Sequence, residues 1–183
     1  GTTGWEIFER FENRADIEIL SISEELRKDT KERQRLINES DFTFLCLPDA
    51  AAVESASLCT NPNTKIIDAS TAHRTNPDWA YGFPELDKSF REKIQKSNRV
   101  ATPGCYASGF IALGYPLVQK GIMGKDYPVT IHAVSGYSGA GKKAIAQYGD
   151  PNRDIGLDTP RQYALTQEHK HLKEMKIITG LDF

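Results

Sequence analysis

The sequence predicts an α/β fold built on a doubly wound parallel sheet, and three observations support this expectation. Apolar, strand-like runs alternate with charged, helix-compatible segments between residues 5 and 102, which is the order of elements in such folds. The run Phe42–Leu47 is almost continuously apolar, as in a strand covered on both faces. Two glycines directly precede the first amphipathic segment, as they do where a doubly wound sheet turns into its first helix.

The elements of the first part of the chain are predicted from apolar spacing and from residues that start or stop helices. In chain order they are a helix over Trp5–Phe11, a strand over Ile17–Ile22, a helix over Lys28–Asn38, a strand over Phe42–Leu47, a helix over Ala50–Leu58 and a strand over Lys65–Ser70. Helical spacing of apolar residues supports the first helix. Pro48 and Asp49 end the strand before them, and Pro suits the start of the helix that follows.

The second part of the chain continues the alternation less regularly. In chain order we predict a loop over 71–84, a helix over 87–96, a strand over Arg99–Thr102, a helix from Cys105 to about Lys120, a strand over Val129–Val134, a short helix after the glycine-rich segment 136–141 and a polar loop over 150–160. Period-two alternation supports the strand at 129–134. The last residues, Ile177–Phe183, have the composition of an unfinished strand.

Composition excludes several classes of function. The 183 residues are 39% hydrophobic with a net charge of −2, so we expect a globular protein with no basic face for nucleic acid. No apolar run approaches the roughly 20 residues of a membrane span, and no signal-peptide pattern is present. Three irregularly spaced cysteines argue against disulfides or a zinc cluster and for a reducing, cytoplasmic location. Since the chain lacks an initiator Met, we expect a piece of a longer protein.

The first four residues are the first candidate site. Gly1, Thr2, Thr3 and Gly4 precede an amphipathic helix and match the last two glycines of a dinucleotide-binding loop. Such glycines let a pyrophosphate approach the backbone at the helix N-terminus. An ordinary loop explains the same residues equally well, because no strand precedes them.

The residues after the second predicted strand suggest which dinucleotide would bind. Ser21, Ser23 and Arg27 stand where an NAD-binding fold usually has an acidic residue for the ribose. Hydroxyls and a cation suit a 2′-phosphate, so NADP is favoured over NAD. Glu24 and Glu25 lie between them, and a solvated charged turn is the alternative interpretation.

Cys105 is the central candidate for catalysis. It follows Thr-Pro-Gly and immediately precedes a predicted helix, so its thiol lies at a helix N-terminus. The helix dipole and the free N–H groups there favour a thiolate. Cys46 and Cys59 lie within apolar segments and are expected to be inert core residues.

The glycine-rich segment after Val134 is a second candidate for phosphate or cofactor binding. Its backbone at Ser138, Gly139, Ala140 and Gly141 would let N–H groups approach a phosphate or a nicotinamide. The spacing is not that of a P-loop, so a nucleoside triphosphate is not implied. A flexible surface loop is the alternative.

The last cluster contains His169, His171 and Glu174. His171 and Glu174, three residues apart on a helix, share a face, so the carboxylate could orient an imidazole acting as general acid or base. A zinc site and a solvated charged helix are the alternatives, and zinc is disfavoured because no further ligand follows. His73 and His132 are expected to be structural.

Several stretches together resemble one family, the shorter bacterial variety of N-acetyl-γ-glutamyl-phosphate reductase of arginine biosynthesis. The matching stretches are Gly1–Gly4, Ile67–Arg74, Tyr81–Leu86, Pro103–Tyr106, Ser135–Gly141 and His169–His171. The resemblance implies a Rossmann domain over residues 1–104 that lacks its first strand, followed over 105–183 by an incomplete catalytic domain of the glyceraldehyde-3-phosphate dehydrogenase type.

The resemblance also implies a reaction, the reduction of N-acetylglutamyl 5-phosphate by NADPH to the 5-semialdehyde and phosphate through a cysteine thioester. Cys105 would be the nucleophile and His171 the acid/base. Of the remaining assignments, Arg74, Ser135 and Gly136 would contact the substrate, and Pro48 would join the cofactor site. The family often has Pro where this chain has Lys173, which weakens the choice of His171 over His169.

Three rival functions are separable by experiment. Aspartate-semialdehyde dehydrogenase shares the fold and chemistry but acts on a shorter acid. A Cys–His hydrolase would use Cys105 and His171 without a cofactor, and a non-catalytic nucleotide-binding module would have an unreactive Cys105. We expect a homo-oligomer that acts on a small acyl phosphate and holds no metal.

Overall fold

A computed structural model describes residues 2–183, so the expected cofactor residue Gly1 lies outside the described residues. Helices and strands are interleaved between residues 30 and 119. Their bounds are α1 Thr2–Phe11, α2 Thr30–Glu39, β1 Phe42–Leu45, α3 Asp49–Ser57, β2 Lys65–Asp68, β3 Ala80–Tyr81, α4 Lys88–Lys96, β4 Arg99–Ala101, α5 Cys105–Gln119, α6 Lys142–Gly149 and α7 His171–Thr179. Two 3-10 helices occupy Tyr137–Ala140 and Ile155–Asp158.

The four strands form one parallel sheet in the order β1-β2-β4-β3. In register, Ile66 of β2 faces Thr43 of β1 on one side and Arg99 of β4 on the other. Because all four strands run the same way, their carboxyl ends meet at one edge, where ligands bind in folds of this kind. The predicted α/β class is confirmed.

Helix boundaries follow from local capping. Asp29 precedes α2, and its carboxylate accepts the Glu32 N–H at 2.8 Å. Asp87 does the same for α4, accepting the Ser89 N–H at 2.7 Å. Side-chain oxygens of this kind satisfy donors that have no partner within the helix. Gly180 ends α7 in the left-handed conformation, at φ 77°, which glycine adopts without steric cost.

Two apolar clusters hold the elements together. The larger joins α5 and α7 to β3, and its buried members are Tyr81, Ala107, Ile111, Tyr115 and Met175. The smaller lies against the sheet and contains Leu45, Ile66, Trp79 and Ala101. Since α5 begins at Cys105 and α7 begins at His171, the larger cluster fixes the relative position of those two residues.

Two predicted strands are wrong. Residues 17–22 and 129–134 have no regular secondary structure, although both have apolar residues at strand-like spacing. A strand requires a neighbour for its N–H and C=O groups, and neither segment pairs with another strand among the described residues. Spacing therefore identified segments suited to a sheet without identifying a partner for them.

Two further expectations need correction. Residues 177–179, expected in a strand, are the last turn of α7. Ile178 packs against the larger apolar cluster, and this burial outweighs the strand preference of branched residues. β1 is covered less than predicted, since Phe42 is 55% exposed and Phe44 37%. β1 lies at the end of the strand order, which leaves its outer side uncovered within the described chain.

No helix among residues 2–183 combines the length and the apolar character needed to cross a bilayer.

Candidate active site

Cys105 lies at the carboxyl edge of the sheet, as the first residue of α5 and shortly after β4 ends at Ala101. Its side chain is exposed, whereas Cys46 and Cys59 are partly buried. Burial raises the pKa of the Cys46 thiol, and Cys59 packs against the smaller apolar cluster. The predicted contrast between one helix-terminal cysteine and two core-like cysteines is therefore found in the structure.

His171 packs directly against the residue before Cys105. A Cβ atom added to Gly104 would clash with His171 Nε2 and would lie 2.6 Å from Arg74 Nη1. Contacts that short would force the His171 and Arg74 side chains to move, so glycine allows the close packing at this position. The histidine that starts α7 and the cysteine that starts α5 are in this way neighbours across a single glycine.

Glu174 connects the start of α5 to two strands' ends. Its Oε1 accepts the Tyr81 hydroxyl at 2.6 Å and the Gly104 N–H at 2.8 Å, while Oε2 pairs with Arg74 Nη1 at 3.2 Å. The residue is only 2% exposed. Burying a charged carboxylate is costly unless its oxygens are hydrogen-bonded or ion-paired. Here three donors, from Tyr81, Gly104 and Arg74, satisfy the two oxygens of Glu174.

The predicted pairing of Glu174 with His171 is not found. Glu174 is bonded to Tyr81, Gly104 and Arg74 instead, and His171 Nδ1 is buried without a hydrogen-bond partner among the described residues. The same-face argument correctly placed the two side chains on one side of α7, but it did not identify their partners.

Arg74 is buried and spans the carboxyl edge of the sheet. Its Nε donates to Thr102 O at 2.8 Å and its Nη2 to Ala69 O at 3.1 Å, in addition to the pair with Glu174. Thr102 follows β4 and Ala69 follows β2, so one guanidinium fixes both strand ends. The residue expected to contact substrate thus has a demonstrable structural role in holding the site.

A second buried network supports the loop that carries Arg74. Asp68, fully buried at the end of β2, accepts the Ser70 hydroxyl at 2.7 Å and bonds His73 Nδ1 at 2.6 Å. The His73 ring stacks on Trp79 with centroids 3.9 Å apart. His73 is therefore structural, as predicted, whereas His132 is exposed and lies outside any strand.

His171 is uncharged at neutral pH. Burial lowers the pKa of its imidazole to about 4, and the nearby Glu174 carboxylate only partly opposes this shift. The phenol of Tyr81 is affected in the other direction, because burial and its bond to Glu174 raise the pKa of Tyr81 far above the usual value. The site therefore presents a neutral imidazole against Gly104 and a protonated phenol that shares Glu174 Oε1 with the Gly104 N–H.

Two rings pack against His171, and a third packs against those two. His169 packs edge-on at a centroid distance of 4.6 Å, and Tyr106 lies at 5.9 Å. Tyr163 contacts both His169 and Tyr106. The His169 Nδ1 accepts the backbone N–H of His171 at 3.2 Å. His169 thus supports the ring of His171, and it is His171 that reaches Gly104.

The expected cofactor residues lie at the start of α1 and in the segments near it. Thr2, Thr3 and Gly4 form the first turn of α1 rather than a loop before it. That turn contains no acidic residue, and a Cβ on Gly4 would meet only Cys46, at 3.5 Å. Pro48 precedes α3 at the end of β1.

The residues proposed for the 2′-phosphate are accessible. Ser21, Ser23 and Arg27 are exposed in irregular backbone, and Arg27 pairs with Glu24 at 3.2 Å on the surface. The guanidinium is therefore close enough to solvent to exchange one anionic partner for another.

The glycine-rich segment 135–141 is exposed and is not brought against Cys105. Its hydrogen bonds are internal, such as Ser135 Oγ to Gly136 O at 3.3 Å and Gly141 N to Ser138 O at 3.0 Å. Tyr137 stacks on Tyr148 of α6. Ser138, Gly139 and Ala140 lie in a single 3-10 turn, and Gly141 takes φ 81°.

A cleft of about 470 Å³ opens beside the Arg74–Glu174 pair. Residues before and at the start of α7 form one wall, and the loop after β2 forms the other. The lining residues are Thr71, Ala72, Arg74, Thr75, Gln167, Glu168, His169, Lys170, Leu172, Lys173 and Glu174. Arg74 is already paired with Glu174 and Glu168 adds a second carboxylate, so Lys170 and Lys173, with two threonine hydroxyls, are the groups in this set that suit a small anionic ligand.

No group of three or more His, Cys, Asp or Glu side chains suited to a metal occurs in the described part of the chain. The site instead contains the Cys105 thiol at a helix N-terminus and the buried, neutral imidazole of His171. Buried hydrogen bonds to Glu174 hold the surrounding backbone and side chains in place. Nucleophile and base at such positions are the parts needed for acyl transfer through a thioester.

Two protein-family models match the chain. The NAD-binding domain of semialdehyde dehydrogenase matches residues 9–97, and the semialdehyde dehydrogenase dimerisation domain matches residues 105–181.

Curated relatives carry the same name in several bacteria. The chain is 46% identical over 181 residues to N-acetyl-gamma-glutamyl-phosphate reductase 2 of Pseudomonas putida. It is 49% identical over 181 residues to the N-acetyl-gamma-glutamyl-phosphate reductase of Chelativorans sp., and 47% over 185 residues to reductase 2 of Nostoc sp.. Each alignment covers 99% of this chain and 58% of the relative, so the chain spans a little over half the length of these proteins.

Proposed function

Because the chain belongs to the semialdehyde dehydrogenase family, we propose that it reduces N-acetylglutamyl 5-phosphate to N-acetylglutamate 5-semialdehyde and phosphate, a step of arginine biosynthesis. One observation carries this proposal: Cys105 begins α5 directly after Gly104, and the buried imidazole of His171 packs against Gly104. The names of the relatives support the choice of the acetylglutamyl substrate over aspartyl phosphate. NADPH is the reductant.

The first step is acyl transfer to Cys105. The neutral imidazole of His171 accepts the thiol proton, and the thiolate attacks the carbonyl carbon of the acyl phosphate. The carbon–oxygen bond to phosphate then breaks and a thioester remains. A cysteine suits this step because its thiolate is strongly nucleophilic and its thioester stays reactive. The unpaired N–H groups of the first turn of α5 stabilise the negative charge on the carbonyl oxygen.

The start of α1 fits the dinucleotide that the reaction requires. Its first turn has free N–H groups and no acidic residue, and Gly4 leaves the backbone accessible beside Cys46. Thr2, Thr3 and Gly4 would hold the pyrophosphate there, with Pro48 nearby. When bound, NADPH supplies the hydride that reduces the thioester. His171, which then carries the proton taken from Cys105, protonates the product oxygen.

The preference for NADPH rests on Ser21, Ser23 and Arg27. Two exposed hydroxyls and an exposed guanidinium suit a 2′-phosphate better than a ribose hydroxyl. In the nicotinamide part of the site, Ser138, Gly139, Ala140 and Gly141 offer backbone N–H groups once the segment approaches the cofactor.

The cleft beside Arg74 suits the anionic substrate. Arg74, Lys170 and Lys173 line it, and their charge attracts the acyl phosphate towards Cys105. Ser135 and Gly136 contact the substrate from the glycine-rich segment. We also propose that the protein is a homo-oligomer, as the match to a dimerisation domain suggests, and that it acts in the cytoplasm on a small molecule alone.

The proposal is tested in the reverse direction with purified protein. Oxidation of N-acetylglutamate semialdehyde should require both NADP and phosphate, because phosphate resolves the thioester. Cys105→Ser should abolish turnover and retain NADPH binding, whereas the matched control Cys59→Ser should keep turnover. Substantial turnover by Cys105→Ser, or turnover that is independent of phosphate, would contradict covalent catalysis.

A further inference from the structure

We propose that His73 is a positioning residue: by anchoring the loop after β2 it sets the place of one wall of the cleft, and with it the affinity of the cleft for phosphate and for the acyl phosphate. The inference rests on the proposed function, because it takes the cleft beside Arg74 as the place where the anionic substrate binds. His73 itself does not line this cleft. It acts through its neighbours in the chain.

Two contacts anchor the His73 side chain. Its Nδ1 donates to Asp68 Oδ2 at 2.6 Å, and this carboxylate is fully buried at the end of β2. Its ring stacks on the indole of Trp79 with an interplanar angle of 11°, and Trp79 belongs to the smaller apolar cluster on the sheet. Because all three side chains are buried, the imidazole cannot shift without losing one of the two contacts.

Asp68 also holds Arg74 by a second route. The backbone carbonyl of Asp68 accepts the Thr102 N–H at 2.8 Å and the Thr102 hydroxyl at 2.9 Å. The Thr102 carbonyl in turn accepts Arg74 Nε at 2.8 Å. Arg74 is thus tied to one buried residue through the side chain of His73 and again through Thr102. A change at His73 releases the backbone that carries Arg74, while the acceptor for its Nε stays in place.

The loop that His73 anchors forms one wall of the cleft. The lining residues from this loop are Thr71, Ala72, Arg74 and Thr75. The wall is held at its start by Asp49, which accepts the Thr71 N–H at 2.9 Å and the Thr71 hydroxyl at 2.5 Å, and in its middle by His73. Since a displacement of about 1 Å in a group that positions substrate can cost on the order of 10²-fold, we expect loss of the His73 anchor to weaken binding of the anion.

The experiment compares two substitutions that each keep one of the two contacts. His73→Asn keeps an N–H donor for Asp68 and loses the ring, whereas His73→Phe keeps a flat ring on Trp79 and loses the donor. Purified protein is assayed in the reverse direction, with the semialdehyde, NADP and phosphate. His73→Phe should raise the KM for phosphate roughly tenfold and keep kcat within about threefold of wild type, which is the pattern of lost binding.

The conservative variant and a control complete the comparison. His73→Asn should return the KM for phosphate to within about threefold of wild type, because the bond to Asp68 is what places the wall. His132→Phe is the matched control, since His132 is exposed and does not line the cleft, and it should leave KM and kcat unchanged. Urea denaturation of each variant measures its stability separately.

A merely structural role gives a different result. It lowers stability and kcat in His73→Phe with an unchanged KM for phosphate, and that result overturns the proposal. Equal rises of KM in His73→Asn and His73→Phe overturn it as well, because the bond to Asp68 would then not place the wall.

Phosphate binding separates this proposal from the reductase proposal. If wild type shows no phosphate-dependent oxidation, the reductase proposal fails, and titration calorimetry with inorganic phosphate decides the role of His73. An affinity for phosphate that is roughly tenfold lower in His73→Phe than in wild type and His73→Asn supports that role. Equal affinity in the three proteins, or no binding of phosphate by wild type, overturns it.

Discussion

Two regions of this chain are assigned to the reaction, the carboxyl edge of the sheet around Cys105 and the glycine-rich segment 135–141, and they are held in different ways. At the edge, Arg74 of the loop after β2, Tyr81 of β3 and Gly104 after β4 all bond to Glu174 of α7. The glycine-rich segment is exposed from residue 135 to residue 140 and bonds mainly to itself. The residues around Cys105 are therefore held by a preformed network of buried hydrogen bonds, here called the frame, made by Arg74, Tyr81, Gly104 and Glu174. The function of the glycine-rich segment depends instead on the groups that it comes to contact.

Glu174→Ala is the substitution from which we expect the largest loss of stability, and it tests the difference between the two regions most strongly. It leaves the Arg74 guanidinium buried without its carboxylate and removes the acceptor for Tyr81 and Gly104. Breaking such a buried pair costs about 3–5 kcal/mol of unfolding free energy, measured by urea denaturation. Glu168→Ala, in the loop before α7, is the matched control and should change stability by about 0.5 kcal/mol or less. Equal losses of unfolding free energy in the two variants would show that Glu174 does not hold the site together.

A second change tests the close packing between Gly104 and His171. In Gly104→Ala, the new Cβ would meet His171 Nε2 and Arg74 Nη1 well inside contact distance. We expect a loss of about 1–3 kcal/mol and a large fall in kcat, because the imidazole must move. Gly109→Ala is the control: its Cβ meets no atom within 4 Å, and alanine favours a helix interior by up to about 1 kcal/mol. Full activity in Gly104→Ala would show that the contact does not position His171.

The pH dependence of stability sharpens the same comparison. Burial lowers the pKa of His171 from 6.5 to about 4, so between these values the unfolded chain binds a proton that the folded chain does not. Stability should therefore fall as pH decreases from 6.5 to 4, by up to about 3 kcal/mol. His171→Asn should lose less over this window. Parallel urea curves of the two proteins at pH 7 and pH 4.5 measure the difference, and identical losses would contradict the buried neutral imidazole.

The smallest effect on stability is expected in the glycine-rich segment. Ser138→Ala should change the unfolding free energy by about 0.5 kcal/mol or less, because the side chain is exposed. Because the proposed contact of Ser138 with the cofactor is its backbone N–H, the KM for NADPH should also stay near the wild-type value. A loss above about 1.5 kcal/mol would mean that this segment, too, belongs to a preformed frame.

Local patterns in the sequence were sufficient for the parallel sheet, for most helices and for the place of Cys105. They were sufficient because helix starts, apolar runs and the break at Pro103-Gly104 are signals within a few residues. They failed at residues 17–22 and 129–134. The spacing of apolar residues there shows which side chains would share one face of a strand, but it does not show whether a neighbouring strand is present to pair with.

The frame around Cys105 could not be predicted, since its contacts are distant in sequence. Arg74 and Glu174 are 100 residues apart and Tyr81 and Glu174 are 93 apart. The one local signal for Glu174, its spacing from His171, pointed to the wrong partner. Asp68 and Tyr81 fell within stretches that carried the family resemblance, but no residue pattern indicated their hydrogen bonds.

The most direct measurement of the central claim, that Cys105 is the activated nucleophile beside His171, is brief alkylation with iodoacetamide near neutral pH followed by mass mapping of the three cysteines. Cys105 should be labelled first, because it is exposed at a helix N-terminus beside a neutral base, while Cys46 and Cys59 are partly buried. His171→Asn should slow the labelling of Cys105 alone. Equal labelling of all three cysteines, or faster labelling of Cys46, would contradict the account.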